Sequence, residues 1–143
     1  MSEMRERLHA LLLASPFARQ LGFELEHAEE GVARVRLKYK EANTTARSAL
    51  HGGAIGSLVD AAGAMAAWSS GEFDGDRYRG RTLSCDVSYL AGALGEDIIG
   101  EGRVLRRGRA IIYNEVRVTN LDGKPLAFGT HIYRIDLRES EGQ

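Results

Sequence analysis

The chain has 143 residues, of which 43% are hydrophobic and 27% are charged, and its formal net charge is -1. These proportions fit a folded domain with its own core, which needs no disulfide or metal to hold it together. The near-neutral charge gives no overall attraction for nucleic acid or for an anionic membrane, so we expect neither as a partner. An anionic ligand would need a local cluster of basic residues.

The single cysteine, Cys85, excludes an internal disulfide and suits a reducing compartment. The first residues carry charges of both signs before a short apolar run over residues 11–14. This run is too short to span a membrane, and the acidic residues are not typical of a signal peptide. We therefore expect a cytoplasmic protein.

Three elements are predicted before the central helix. Leucines at helical spacing predict an amphipathic N-terminal helix over residues 3–14, which ends near Ser15 and Pro16. Valines that alternate with basic residues predict a strand over residues 31–38, and a less regular pattern indicates another over residues 22–27. No linker, repeat or low-complexity segment interrupts the sequence, so residues 1–143 are expected to form a single domain.

A long central helix is predicted over residues 52–70. Asp60 is the only charge in this segment, and apolar residues fall on every face, which is typical of a buried helix. Gly56 and Gly63 each cost about 1 kcal/mol of helix propensity relative to Ala. Such residues are tolerated where a neighbouring backbone approaches closely.

The second half of the chain reads as strands joined by hairpins. Strands are predicted over residues 82–89, 97–105, 110–119 and 125–135, with turns at Gly108 and at Asp122–Gly123. Hairpins make a sheet antiparallel, and this sheet must wrap around the central helix to bury it. The expected fold class is therefore α+β.

The start of the central helix, His51-Gly52-Gly53, offers free backbone N–H groups. These groups have no partner inside the helix, and the helix dipole adds partial positive charge. Glycines let a ligand oxygen approach, which would make an oxyanion site. Alternatively, the glycines only let the helix begin against another backbone, and the glycines alone favour this second interpretation.

Asp60 shifts the balance towards chemistry. A carboxylate on an apolar helix is costly unless it is paired or takes part in a reaction. Burial would raise its pKa and make it a better base. It could instead be a structural residue bonded to a backbone group or an arginine. An oxyanion-type helix start combined with a buried acid favours acyl chemistry.

The run over residues 48–63 resembles the signature of the hotdog-fold acyl-CoA thioesterases related to the phenylacetate-pathway thioesterase. That family carries a leader, His-Gly-Gly, and an aspartate at this same distance. Shorter matches follow over residues 86–90, 105–109 and 122–127, so that the resemblance extends from Phe17 to Ile135. It implies a hotdog fold, an antiparallel sheet wrapped around one long helix.

The resemblance also implies roles for individual residues. Gly52 would supply the N–H that polarises the thioester carbonyl, and Asp60 would be the general base or the nucleophile. Thr82 falls where relatives often have Ser or Thr to hold the water or the acid, although it could be an ordinary sheet threonine. Cys85 is expected to fill the core, because nothing near it in sequence activates a thiol.

The leader departs from the common family pattern. Many relatives have an asparagine six residues before the histidine, and here that position is Thr45, with Asn43 as the nearest candidate. The sequence over residues 48–53 is similar to that of members that act on medium and long chains, which suggests an aliphatic acyl group. For His51 and Gly53 we expect a role in substrate binding or in the structure of the loop.

The turn Arg106-Arg107-Gly108-Arg109 is the densest basic group in the chain. We predict that it contacts the phosphates of CoA; the alternative is a solvated hairpin tip. No cluster of histidine, cysteine and carboxylate residues has metal-ligand spacing, so no metal is expected, and no cofactor apart from the CoA of the substrate. His131 could belong to the core or to a pocket.

The separation of the two site residues predicts an oligomer. At a rise of about 1.5 Å per residue, Asp60 lies about 12 Å along the helix from Gly52. The water must lie about 3 Å from both its base and the carbonyl carbon, which one straight helix cannot arrange. Two antiparallel helices related by a two-fold axis can, so we expect a homodimer or a dimer of dimers with sites at the subunit interface.

Three functions fit these observations. The first is a thioesterase that hydrolyses a small or medium-chain acyl-CoA, aliphatic or aryl. The second is a non-catalytic acyl-CoA binding or regulatory protein on the same fold; the presence of Asp60 favours the enzyme. A hotdog dehydratase is disfavoured, because the sequence lacks the Asp-and-His hydratase signature.

Overall fold

The first half of the chain contains all three helices and two strands, and the second half consists of four strands. The structure is a computed structural model, and it describes residues 2–139. Its helices are α1 (Glu3–Leu13), α2 (Pro16–Leu21) and α3 (Gly52–Ser69), with a short 3-10 turn at Glu41–Asn43. Its strands are β1 (Phe23–Glu29), β2 (Val32–Leu37), β3 (Tyr78–Tyr89), β4 (Ile98–Arg107), β5 (Ile111–Asn120) and β6 (Pro125–Leu137).

The six strands form one antiparallel sheet in the order β1-β2-β4-β5-β6-β3. Helix α3 crosses the inner face of this sheet and contacts every strand. Gly102 on β4 lets the two approach, because a Cβ there would overlap the carbonyl of Ala62. Leu58, Val59 and Ala66 of this helix are fully buried. The predicted α+β hotdog arrangement is confirmed.

The N-terminal helix was predicted correctly, but α2 was not predicted. Ser15 caps α2 by accepting a hydrogen bond from Ala18 N, and Pro16 occupies the first turn. A proline in that position starts a helix as readily as it ends one. With six residues, α2 is too short to show a helical period, and Gly22 ends it at a φ of 86°.

Strand β3 begins at Tyr78, four residues before its predicted start at Thr82. It is longer because β6 runs on to Leu137 and pairs with this extra segment. Strand β3 pairs only with β6, so within residues 2–139 its other edge has no neighbouring strand. Cys85 on β3 is exposed, so the prediction that it fills the core is wrong: a strand at the edge of the sheet has no second layer to cover it.

Helix α3 is not buried on every face. One stripe is exposed or partly exposed, and it consists of Gly53, Gly56, Ser57, Asp60, Ala61 and Ala64. These positions recur every three or four residues, so they share one side of the helix, the side next to the open edge of β3. Among residues 2–139, no helix is long and apolar enough to cross a membrane.

Candidate active site

The start of α3 leaves one backbone N–H free. His51 is the N-cap, and its Nδ1 accepts a hydrogen bond of 2.8 Å from Gly53 N, while its carbonyl accepts one of 2.9 Å from Ala54 N. The N–H of Gly52 has no acceptor among residues 2–139. The N–H of Gly53 is therefore used in capping by His51, whereas the N–H of Gly52 remains available to a ligand at the helix start.

Tyr89 and Asn43 hold this helix start in place. The Tyr89 hydroxyl donates to the Gly52 carbonyl at 2.7 Å, and its ring lies 3.6 Å from where a Gly52 Cβ would be. The Asn43 carbonyl accepts from His51 N at 2.8 Å, and its side-chain amide donates to the Leu21 carbonyl at 2.9 Å. Asn43 thus supports the leader from a buried position, and its contact with substrate stays a prediction.

Asp60 is held through one oxygen only. Its Oδ1 accepts a hydrogen bond from Thr82 Oγ1 at 2.6 Å and lies 2.8 Å from His131 Nε2. Its Oδ2 has no partner among the described residues, and the side chain is 49% exposed. The carboxylate is therefore fixed in orientation while one oxygen remains open to water or to a ligand.

A buried asparagine defines which nitrogen of His131 carries the hydrogen. The Asn114 amide nitrogen lies 3.2 Å from the Gly63 carbonyl and 3.1 Å from His131 Nδ1. Because a carbonyl can only accept, the amide presents its N–H groups here, and Nδ1 must accept as well. The ring hydrogen then lies on Nε2 and is donated to Asp60. Gly63 makes room for the ring, since a Cβ there would overlap it.

The pKa of Asp60 lies below the ordinary value for an aspartate. Partial burial raises this pKa, but the hydrogen bonds from His131 and Thr82 lower it by more. The expectation that burial makes Asp60 a stronger base is therefore wrong. The carboxylate is ionised and held, which suits a group that orients water and accepts its proton as attack proceeds.

Sequence analysis left His131 open between the core and a pocket, and it did not identify Asn114 or Tyr89 as parts of this site. Side chains alternate between the two faces of a strand, so the sequence of β6 places His131 on the same face as Tyr133. The same alternation assigns Asn114 to one face of β5. This alternation does not tell which residue of the helix each one meets. Which helix residue His131 contacts depends on the register between strands, such as the pairing of Cys85 with His131 across β3 and β6, and this register exists only in the folded sheet.

The arginine turn between β4 and β5 divides into two kinds of residue. Arg107 Nη1 donates to the Ser70 carbonyl at 2.7 Å, and its guanidinium lies 4.9 Å from the centre of the Phe73 ring, so it holds the end of α3. Arg106 and Arg109 are exposed, and neither pairs with an acidic residue in the part of the chain that the structure describes. Gly108 closes the hairpin.

A cavity of about 440 Å³ begins beside Asp60 and Thr82. Its walls are mainly apolar and come from α1, α2, the exposed side of α3 and the start of β3, with Tyr133 of β6. Trp68 lines the cavity eight residues beyond Asp60, or about 12 Å along the helix. Within residues 2–139, no group of three or more histidine, cysteine or acidic residues could hold a metal ion.

Comparison with known proteins identifies the family. The model of the thioesterase superfamily matches residues 48–127. Human acyl-coenzyme A thioesterase 13 is 33% identical over 131 residues, covering 90% of this chain and 91% of its own. The medium/long-chain acyl-CoA thioesterase YigI of Escherichia coli is 30% identical over 132 residues, covering 84% and 85%. The structure of E. coli PaaI has a TM-score of 0.79 at 20% identity, covering 92% and 91%.

The chain belongs to the thioesterase superfamily. The predicted resemblance to hotdog-fold thioesterases is confirmed, and so is the prediction of a thioester hydrolase. The matched region begins in the leader and ends in β6, so it contains the whole helix start, Asp60 and Thr82, but not His131.

Proposed function

We propose that this protein hydrolyses acyl-CoA thioesters with Asp60 as the residue that directs water. The observation that carries the proposal is the one-sided support of the carboxylate: Oδ1 is held by Thr82 and His131, and Oδ2 is open beside an apolar cavity. The names of the human and E. coli relatives agree with an acyl-CoA substrate.

The reaction requires one water and one oxyanion site. Asp60 Oδ2 accepts a proton from water while the water oxygen attacks the thioester carbon. The carbonyl oxygen becomes negative and is stabilised by the free Gly52 N–H at the positive end of a helix dipole. Collapse of this intermediate breaks the C–S bond, and the CoA thiolate leaves and takes up a proton. The same Oδ2 could instead attack the carbon itself, giving an anhydride that water then cleaves.

We further propose that each site combines Gly52 of one subunit with Asp60 of another. The free N–H and the carboxylate are about 12 Å apart along one helix, too far to act on one carbonyl. The exposed stripe of small residues on α3 and the open edge of β3 lie side by side. A second copy that covers both would bring the start of its own α3 beside Asp60. A homodimer is the smallest assembly that does this, and a dimer of dimers would preserve it.

For CoA we propose binding by the basic turn, through Arg106 and Arg109. Both are exposed cations without an acidic partner among the described residues, and the net charge of -1 gives the protein no overall attraction for the phosphates. Arg107 would act indirectly by fixing the turn against Ser70. His51 and Gly53 would shape the helix start rather than contact the acyl group.

The length of the cavity favours a medium aliphatic chain. An extended chain advances about 1.2 Å per bond, so the distance of about 12 Å from Asp60 to Trp68 admits about ten bonds. The name of the E. coli relative includes medium chains.

A cytoplasmic location is also proposed, in keeping with a single free cysteine.

The test is a panel of CoA thioesters with short, medium and long aliphatic chains and with aryl groups, assayed by release of the free thiol. We expect kcat/KM to be highest for medium aliphatic chains. Asp60→Asn, purified in parallel, controls for contaminating hydrolases. Tight binding of acyl-CoA without turnover would favour the non-catalytic alternative and would contradict the proposal.

A further inference from the structure

A buried tyrosine stands in the wall of the cavity, deeper than the polar residues at its mouth such as Asp60 and Thr82. The Tyr133 side chain on β6 lines the cavity, and the residue is only 7% exposed. Its oxygen accepts a hydrogen bond of 3.0 Å from the indole N–H of Trp68. This bond fixes the position of the phenol oxygen, because both partners are buried.

The hydroxyl hydrogen of Tyr133 has no acceptor among residues 2–139. A buried donor without a partner is unusual, because its lost hydration is not compensated. The pKa of Tyr133 is raised by burial and by the negative charge of Asp60, although the bond from Trp68 opposes the shift. The phenol therefore keeps its hydrogen at neutral pH and remains a donor.

The surroundings of this donor direct it at a ligand. Tyr133 pairs with Thr82 across the sheet, so the two residues leave the backbone at the same level as the carboxylate of Asp60. The ring then extends towards Gly80, where a Cβ would overlap the hydroxyl. Gly80 lies two residues from Thr82, or about 7 Å along the strand. The donor is thus beside the path of the acyl chain, about six bonds from the reacting carbon.

We propose that Tyr133 forms a polar subsite in the acyl cavity, and that the protein prefers acyl chains that carry an oxygen acceptor, such as a hydroxyl or keto group, partway along the chain. This inference rests on the proposed thioesterase function. A plain chain would displace water from the hydroxyl and leave its hydrogen without a partner. A chain with an oxygen at the matching carbon would restore the bond, and sites built to bond a polar group discriminate strongly against analogues that lack it.

The experiment uses the intact protein and compares decanoyl-CoA with a series of hydroxydecanoyl-CoA isomers, each with its one hydroxyl at a different carbon of the chain. We expect one isomer or two neighbouring isomers to exceed decanoyl-CoA in kcat/KM by about tenfold. Tyr133→Phe should abolish this preference. Trp68→Phe is the matched control: it removes the N–H that fixes the phenol oxygen but keeps the hydroxyl, so the preference should weaken without being lost.

Each outcome decides the question. If no hydroxylated chain exceeds the plain chain, the cavity has no polar subsite. If the preference survives in Tyr133→Phe, another group causes it and Tyr133 does not form the subsite; either result overturns the proposal. The isomer series on the wild type gives this answer even if the variant fails to fold. Hydrolysis of decanoyl-CoA is read in the same assay: equal turnover of all chains refutes only the subsite, whereas no turnover of any chain refutes the proposed function.

Discussion

Two aspartates with lowered pKa values occupy different regions of the molecule, and they are held in different ways. Asp97, before β4, accepts from Tyr39 N through Oδ1 at 2.7 Å and from the Arg36 guanidinium through Oδ2 at 2.7 and 3.0 Å. Asp60 accepts through Oδ1 alone. Both carboxylates are ionised, but only Asp60 keeps an oxygen for something that is not part of the chain.

The number of carboxylate oxygens that are hydrogen-bonded distinguishes a structural aspartate from a functional one more clearly than the direction of the pKa shift does. At Asp97 the backbone hydrogen bond from Tyr39 lowers the pKa most, partial burial raises it, and Arg36 lowers it further. At Asp60 burial has the largest single effect and raises the pKa, and the hydrogen bonds from His131 and Thr82 together lower it by more. A fully bonded carboxylate fastens two strands, whereas a half-bonded one beside a cavity can do chemistry.

The largest effect is expected at Asp60. Asp60→Asn keeps the shape of the side chain and removes the proton acceptor, so kcat should fall about 10²–10⁴-fold, the usual cost of losing a general base. Acyl-CoA affinity and the melting temperature should change little. Asp97→Asn is the control, because it also removes a carboxylate but not one beside the cavity. A comparable loss of kcat in both variants would contradict the assignment of Asp60 as the functional aspartate.

A smaller loss is expected from His131→Phe, which removes the Nε2 donor while filling a similar volume. Without this hydrogen bond the pKa of Asp60 rises, because burial is then opposed only by Thr82. The acid limb of the kcat–pH profile should move to higher pH, and kcat on the plateau should fall about tenfold, as for a hydrogen bond to a charged group.

In the wild type the acid limb due to Asp60 should lie below pH 4, because its pKa is lowered from an ordinary value of 3.8. The pH profile of His131→Phe is the deciding measurement. An unchanged acid limb would show that His131 has only a structural role.

Asp97→Asn should affect stability rather than turnover. A lowered folded pKa means that ionised Asp97 stabilises the fold above its unfolded pKa of about 4, and that this contribution is lost as pH falls through the folded pKa. We expect a loss of about 1–2 kcal/mol in the free energy of unfolding at pH 7. Urea titrations of both proteins should converge at low pH, and a difference that grows on acidification would contradict this assignment.

The smallest effect is expected at the arginine turn. Replacing Arg106 and Arg109 together by Gln should raise KM for acyl-CoA a few fold, because exposed charges interact weakly through water. A truncated thioester that lacks the nucleotide should be unaffected. Arg107→Gln is the matched control and should lower the melting temperature instead, since Arg107 bonds to Ser70. Equal effects on both substrates would refute a phosphate role.

The sequence predicted the parts of the molecule that depend on local pattern. The His-Gly-Gly start, the spacing to Asp60 and the hairpin turns are all written within short segments, so the fold class and the central helix could be predicted. The first four residues of β3, 78–81, could not be predicted as a strand, because they are extended only where they pair with β6. The same limit hid His131 and Asn114, whose roles arise from residues far apart in the chain meeting across the sheet.

The central claim is that one site needs Gly52 of one subunit and Asp60 of another. Gly52→Pro removes the free N–H at a helix start, where proline is tolerated, and a Cβ at this position would make an ordinary contact with Tyr89. Asp60→Asn removes the base. Each variant alone should be inactive, but a mixed dimer holds one site with both lesions and one with neither.

The most direct measurement is therefore activity after the two inactive variants are co-refolded, with native mass spectrometry to count the mixed dimers. Random pairing makes half of the dimers mixed, each with one intact site, so about one quarter of the wild-type activity should return. If mixed dimers form and the activity stays at the level of the parents, each site is built within a single subunit and the account is wrong.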